Sequence, residues 1–283
     1  MSAPHIIPVQ FPELPDIEDH VIAGKVTVPA VELIDLALAT LAAEAPSAAS
    51  LALPLVLSDI RFPRFLLGEE IRHCTFELTL ESAKQQAAHI ELASRITFPS
   101  GISRRRVHLE AILGGPPPAP LPVPTDMVFD FELESERTYA ELVPFGPRFH
   151  NLRSPVRLGR GAALGIVRSP DPPRGHVSVA GCPYLLDSAM HLACVWGQRY
   201  LGYVAYPVGI RARVVWLPVD HGERRCLVVP RAVAPERLTC DVWLTDEAGT
   251  IADAVTALEM APMSIGPAPP AWIVDPERAR GLV

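Results

Sequence analysis

Between Gly114 and Pro124 the chain reads Gly-Gly-Pro-Pro-Pro-Ala-Pro-Leu-Pro-Val-Pro, and six of those eleven residues are proline. Neither a helix nor a central strand runs through such a stretch, because each proline lacks an amide N–H and fixes its own φ. The segment divides the chain into residues 1–113, a stiff linker over 114–125, and residues 126–283. With 283 residues and 49% hydrophobic content, two cores of ordinary domain size are within reach.

The two halves have the same internal order. In the first, Pro29 suits the first turn of a helix reaching about Ala43, and Val31, Leu33, Ile34, Leu36, Leu38 and Leu41 leave that helix almost no polar face. Other structure must wrap it. Strand-like runs follow at Thr75–Leu80, His89–Phe98 and Arg106–Leu113. In the second half, β-rich segments around Val156–Val167 and His176–Val179 precede an apolar helix over Tyr184–Tyr200. Strands are then expected near Ala212–Trp216, Arg225–Val229, Leu238–Leu244 and Ile251–Met260. Within the second helix Asp187 and His191 are four residues apart and share a face, while Leu185, Leu186, Met190, Leu192, Val195 and Trp196 make the remainder apolar. An acidic residue and a histidine on a helix destined for burial are uncommon and point to chemistry.

Several function classes fall away. A net charge of -7 without a polybasic run lacks the footprint of a nucleic-acid or anionic-membrane binder. Five cysteines, Cys74, Cys182, Cys194, Cys226 and Cys240, with no C-x-x-C pair suggest neither a disulfide framework nor a zinc knuckle, and a reducing cytoplasm is the simplest location. Glu32 and Asp35 interrupt the most apolar stretch, so neither export nor membrane spanning is expected. The nine histidines show no metal-ligand spacing, and no metal or bound cofactor is expected. Gly159–Gly165 has its third glycine one position late for a dinucleotide loop and reads as a β-turn. Ser103–Arg106 reads as a solvated strand edge, with contact to a phosphate or an acidic partner as the alternative.

Four motifs then occur in a telling order: His20-x-x-x-Gly24-x-x-x-x-Pro29, Phe145-Gly146-Pro147-Arg148-Phe149, Pro183-Tyr184-Leu185-Leu186-Asp187-x-x-x-His191, and Pro207-Val208-Gly209-Ile210. Over nearly its whole length the chain resembles the dehydratase domains of polyketide synthases. The resemblance implies an α+β double hotdog, two antiparallel sheets each wrapping a long central helix, with a substrate tunnel between the halves. It also implies that His20 and Asp187 face one another as base and acid. His20 would remove the α-proton of a β-hydroxyacyl thioester, and Asp187 would protonate the departing hydroxyl. The substrate would arrive on the phosphopantetheine of an acyl carrier protein, other polyketide synthase components would be partners, and a homodimer is possible.

Supporting roles follow from the same resemblance. His191 would orient Asp187, the Gly24 amide would polarise the thioester carbonyl, and Pro29 would fix the helix start; Phe145, Gly146, Pro147 and Cys182 would shape the tunnel. The chemistry makes opposite demands on the two reacting groups. Imidazole is largely neutral at pH 7, whereas an aspartic acid stays protonated there only if desolvation lifts its pKa. The chain departs from the family at Leu14 and Cys182, where histidine is common, and at Phe145, where tyrosine is usual. Beginning with methionine, it is expected to act as a free-standing protein. Plainer readings remain for single residues: a loop histidine at His20, a helix cap at Asp187, a satisfied core histidine at His191. Ring closure, double-bond isomerisation, and a silent hotdog that binds carrier-linked chains also remain open.

Overall fold

The computed structural model of the chain describes residues 4–46, 51–82, 87–170, 178–234, 236–263 and 268–277. The N-terminal half holds β1 (His5–Val9), a 3-10 turn (Pro15–Asp19), β2 (Val21–Ile22), β3 (Lys25–Val26), α1 (Ala30–Glu44), β4 (Leu55–Arg61), α2 (Gly68–Ile71), β5 (Thr75–Ser82), β6 (Ala87–Thr97) and β7 (Ser103–Gly114). The C-terminal half begins with β8 (Phe131–Leu133), α3 (Ser135–Arg137), a π-helical turn (Thr138–Leu142) and a 3-10 turn (Pro147–Phe149). It continues through β9 (Leu152–Gly159), β10 (Ala162–Arg168), α4 (Pro183–Tyr200), β11 (Ala205–Val215), β12 (Glu223–Ala234), β13 (Arg237–Thr245) and β14 (Ile251–Pro262).

Each half packs its strands around one helix, α1 against β1, β6 and β7, and α4 against β9 to β13. In α4 every residue except Arg199 is buried, which leaves that helix no solvent face. Apolar residues all round its circumference are the cause. The Trp196 ring is fully buried, and its indole N–H donates to the Gly159 carbonyl at 2.8 Å. By contrast α1 exposes Ala39, Ala43 and Glu44 near its C-terminus, so its wrapping is one-sided. Pro29 precedes this helix as its N-cap, one position earlier than the first turn expected from sequence.

Apart from the small β2–β3 ribbon, the strands of both halves join in one continuous antiparallel sheet, in the order β1, β5, β6, β7, β4, β11, β14, β13, β12, β10, β9, β8. The seam is β4 against β11, with Ile60 opposite Ile210 and Leu57 opposite Arg213. Joining the halves this way satisfies the backbone groups of two strands that would otherwise be edges. The Pro207–Ile210 motif lies at this seam, where the Phe62 amide donates to the Val208 carbonyl at 3.1 Å.

Other sequence expectations need adjusting. The proline segment has neither helix nor strand, yet it is not a free spacer. Leu121, Val123, Met127 and Phe129 pack on Ala162, Leu164, Leu227, Val229 and Trp243, and the Trp243 indole donates to the Leu121 carbonyl at 3.1 Å. At His176–Val179, the first two residues lie outside the described ones, and Ser178 and Val179 form no strand. Arg105 is paired with Glu77 and Glu91 on neighbouring strands and Arg106 with Glu70 of α2, so both are engaged within the fold. Gly159–Ala162 is the hairpin turn between β9 and β10.

Candidate active site

A cavity of about 480 Å³ opens between the halves, with His20 to Gly24, Val28, Ala30 and Phe65 on one wall and Asp187, Met190, His191, Cys194 and Gln198 on the other. His20 and Asp187 are each 5% exposed and both line it.

His20 follows the 3-10 turn Pro15–Asp19 and precedes the β2–β3 ribbon. The ribbon reverses at Ala23-Gly24, both with positive φ (50° and 77°), a two-residue turn that glycine readily adopts. His20 Nδ1 lies 2.7 Å from the Thr27 carbonyl. A carbonyl only accepts, so Nδ1 carries the proton and Nε2 keeps its lone pair. The ring is flanked by Phe145 and Phe149, with centroids at 4.2 and 5.1 Å. Burial pushes the His20 imidazole below its usual pKa of 6.5, outweighing the upward pull of Asp187 and the Thr27 bond. It is thus neutral at pH 7 and has a free nitrogen: a base.

The loop is fixed by residues from the other half of the chain. The Gly146 amide donates to the Asp19 carbonyl at 2.7 Å, and Arg148 reaches Asp19 through its amide at 3.0 Å and Asp16 through Nε at 2.8 Å. A Cβ on Gly146 would stand 2.3 Å from Asp19 Cγ, so this close approach requires glycine. His150 closes the same loop by donating from Nε2 to the Phe145 carbonyl at 2.8 Å.

Asp187 and His191 come from the first half of α4, where the four-residue spacing puts both on the cavity face. Asp187 Oδ2 is 3.0 Å from His191 Nε2. The pair is off-line for a hydrogen bond, and among the described residues neither atom has such a partner. The contact is electrostatic. Burial pushes the Asp187 carboxyl upward, but His191 and then His20 pull harder, and the net direction is below the usual carboxylate value. The desolvation that a protonated Asp187 requires is thus present, but it does not set the net direction.

Behind His191 stands Tyr139, which the sequence reading missed. Its hydroxyl accepts from the Asn151 and Leu152 amides at 3.0 and 2.9 Å and lies 3.5 Å from His191 Nδ1. With two donors already on its oxygen, its own proton points to Nδ1, which leaves the His191 proton on Nε2, toward Asp187. Burial drives the phenol pKa far upward, so that proton stays in place. Tyr139 sits in a short π-helical turn with no hydrophobic period to announce it.

The family described as polyketide synthase dehydratase N-terminal domain matches residues 119–269, more than half of the chain. The chain belongs to that family. No curated protein matches it in sequence. Among solved structures, the dehydratase domain from the CurF module of curacin polyketide synthase is similar with TM-score 0.74 and 19% identity, over 93% of this chain and 95% of that one. The dehydratase domain of PpsC from Mycobacterium tuberculosis in complex with C12:1-CoA gives TM-score 0.68 and 22% identity, over 92% and 93%. The dehydratase domain from the CurJ module gives 0.68 and 22%, over 87% of each chain. The fold of this dehydratase relative is accordingly the double hotdog.

Not every residue singled out in the sequence of this family member reaches the cavity. Phe145 and Gly24 line it, whereas Pro29, Gly146 and Pro147 stand behind it as supports. Cys182 is the N-cap of α4 and lines a separate small cleft with Arg213 and Asp253. The substitution at Cys182 therefore alters the helix start rather than the wall of this cavity. No helix among the described residues is long and apolar enough to cross a membrane, and no group of three metal-ligating side chains occurs among them.

Proposed function

We propose that the protein removes water from a β-hydroxyacyl thioester held on the phosphopantetheine arm of an acyl carrier protein, giving an α,β-unsaturated thioester. The observation that carries this reading is that His20 and Asp187, from opposite halves of the chain, line one largely apolar cavity. His20 Nε2 takes the α-proton. The electrons of that C–H bond form the double bond, the β-carbon–oxygen bond breaks, and a proton from Asp187 joins the leaving hydroxyl to give water.

Asp187 must acquire its proton before that step. The acyl chain expels solvent from the cavity and strengthens burial, the one influence that raises the carboxyl. Gly24, on the wall at the β2–β3 turn, places backbone beside the thioester, where an amide N–H stabilises charge developing on the carbonyl oxygen. The partners implied are a carrier protein and other polyketide synthase components. Incubation with β-hydroxyacyl carrier thioesters of several chain lengths, followed by mass spectrometry of the acyl group, tests the assignment. Loss of one water, abolished by His20→Ala and by Asp187→Asn, is expected; no loss with any chain overturns it.

A further inference from the structure

Residues 268–277 follow β14 with neither helix nor strand, yet they are tied down at three places. The Trp272 indole N–H donates to Glu141 Oε2 at 2.6 Å, and Arg137, itself donating to Glu141 at 2.9 Å, holds its guanidinium 3.5 Å over the Trp272 ring. The Asp275 amide donates to the Arg199 carbonyl at 2.8 Å, and Arg199 Nη1 donates to the Ile273 carbonyl at 3.2 Å. Arg160 reaches the Asp275 carboxylate at 2.6 Å, and Ile273 is fully buried in the core. A segment outside any helix or sheet ordinarily frays unless it is anchored. These anchors fix this one.

Two residues of the segment, Ala268 and Pro270, line the cavity. It meets α4 at Arg199, twelve residues beyond Asp187 and about 18 Å along the helix axis. Cys194, also on the cavity wall, stands about 10 Å from Asp187 on the same scale. Around Cys194 the wall is largely apolar, built from Leu142, Val204, Ala205, Met260 and Pro270. The amides of a pantetheine arm lose hydrogen bonds against such a surface, whereas a hydrocarbon chain loses none. The part of the cavity beside the C-terminal segment therefore suits the acyl end of a substrate.

We infer that residues 268–277 are a stop that sets the longest acyl chain the cavity accepts, with Trp272 and Asp275 as its anchors and Pro270 as the surface that the chain end meets. The inference rests on the proposed dehydration, which places the reacting carbons between His20 and Asp187. A chain running from there along α4 covers the 10 to 18 Å to the stop in on the order of ten atoms. The substrate class is then a β-hydroxyacyl thioester with an apolar chain of medium length, and longer chains are refused because the anchored segment does not move aside.

Two measurements on the intact protein test this. In the first, saturated acyl pantetheine amides of increasing length are compared by calorimetric binding. We expect affinity to rise about fourfold per added carbon up to one length and to fall beyond it. In Trp272→Ala and in Asp275→Ala the optimum moves to longer chains, while the shortest ligands bind as before; urea titration checks that both variants are folded. An unmoved optimum in both folded variants overturns the inference, as does affinity that rises without limit in the unaltered protein. Acyl N-acetylcysteamine amides, which lack most of the arm, form the control. If the variants change only the gain from the arm and leave the length optimum alone, the segment faces the arm and the inference fails. In the second measurement, the matching β-hydroxyacyl carrier thioesters are compared for turnover. A moved optimum in binding with no loss of water from any thioester keeps the stop and sinks the dehydratase reading. Dehydration with an unmoved optimum does the reverse.

Discussion

The two reacting groups are mounted in opposite ways. Asp187 is carried by a helix that is buried on every side, and the spacing to His191 is a property of that helix alone. His20 is carried by a loop whose shape comes from elsewhere: Thr27 sets the proton on its ring, Phe145 and Phe149 flank it, and Asp19 ties its chain to Gly146 and Arg148. The acid is thus positioned by local periodicity and core packing. The base is positioned by contacts that cross from one half of the chain to the other. A helix-mounted group tolerates distant changes, whereas a loop-mounted one inherits every error in its supports.

Removing either reacting group gives the largest effect and breaks the comparison at its centre. His20→Ala and Asp187→Asn each lower kcat for dehydration by about 10²–10⁴-fold, in the range of general acid–base catalysis. The double variant is little worse than either single one if the groups act in the same step. Gly146→Ala comes next. The methyl group collides with Asp19 and displaces the His20 loop, and a shift near 1 Å costs about 10²-fold in kcat. Thermal unfolding of that variant separates misplacement from collapse, since an unchanged melting temperature with lost turnover is expected.

Tyr139→Phe probes the support on the acid side. It removes the hydroxyl proton aimed at His191 Nδ1 and leaves the Asn151 and Leu152 amides without their acceptor, which lowers stability by on the order of 2 kcal/mol in urea titration. We expect about a tenfold fall in kcat with KM nearly constant, because His191 stays on α4 but loses its fixed tautomer.

The pH profile sharpens the same contrast. His20 has a depressed pKa, so it remains the free base until the pH falls below 6.5, and the acid limb of kcat/KM lies under that value. Asp187 is also held low, so its proton becomes scarcer as pH rises and the profile declines on the alkaline side. A profile flat above neutrality contradicts a carboxyl donor. The smallest effect belongs to Arg148→Ala, which removes a partly buried pair with Asp16 but leaves the backbone bond to Asp19; about 1 kcal/mol of stability or less is expected in denaturant titration.

The same division governs what could be read before the fold was known. The two apolar helices and most strands from β5 onward were legible in the sequence, β8 and the start of β11 excepted, and Asp187 with His191 stood out because a charge and an imidazole on such a helix break the pattern. Strands β1 and β4 gave weaker signals, being short runs broken by proline or charge. The supports of His20 gave none, since the Thr27 acceptor is a backbone carbonyl and Asp19 and Tyr139 are brought in across long separations.

By itself the sequence determined two helix-and-sheet halves, the order of four motifs, and one helix face bearing Asp187 and His191, because periodicity and motif spacing are local properties of a chain. Only the tertiary structure decided that β4 and β11 fuse the halves into one sheet, that Cys182 faces away from the cavity, and that Nε2 of His20 is the free nitrogen. It also set the direction of the Asp187 pKa, because a pKa depends on which groups lie nearby in space, and folding alone brings His20 to the acid's side of the molecule.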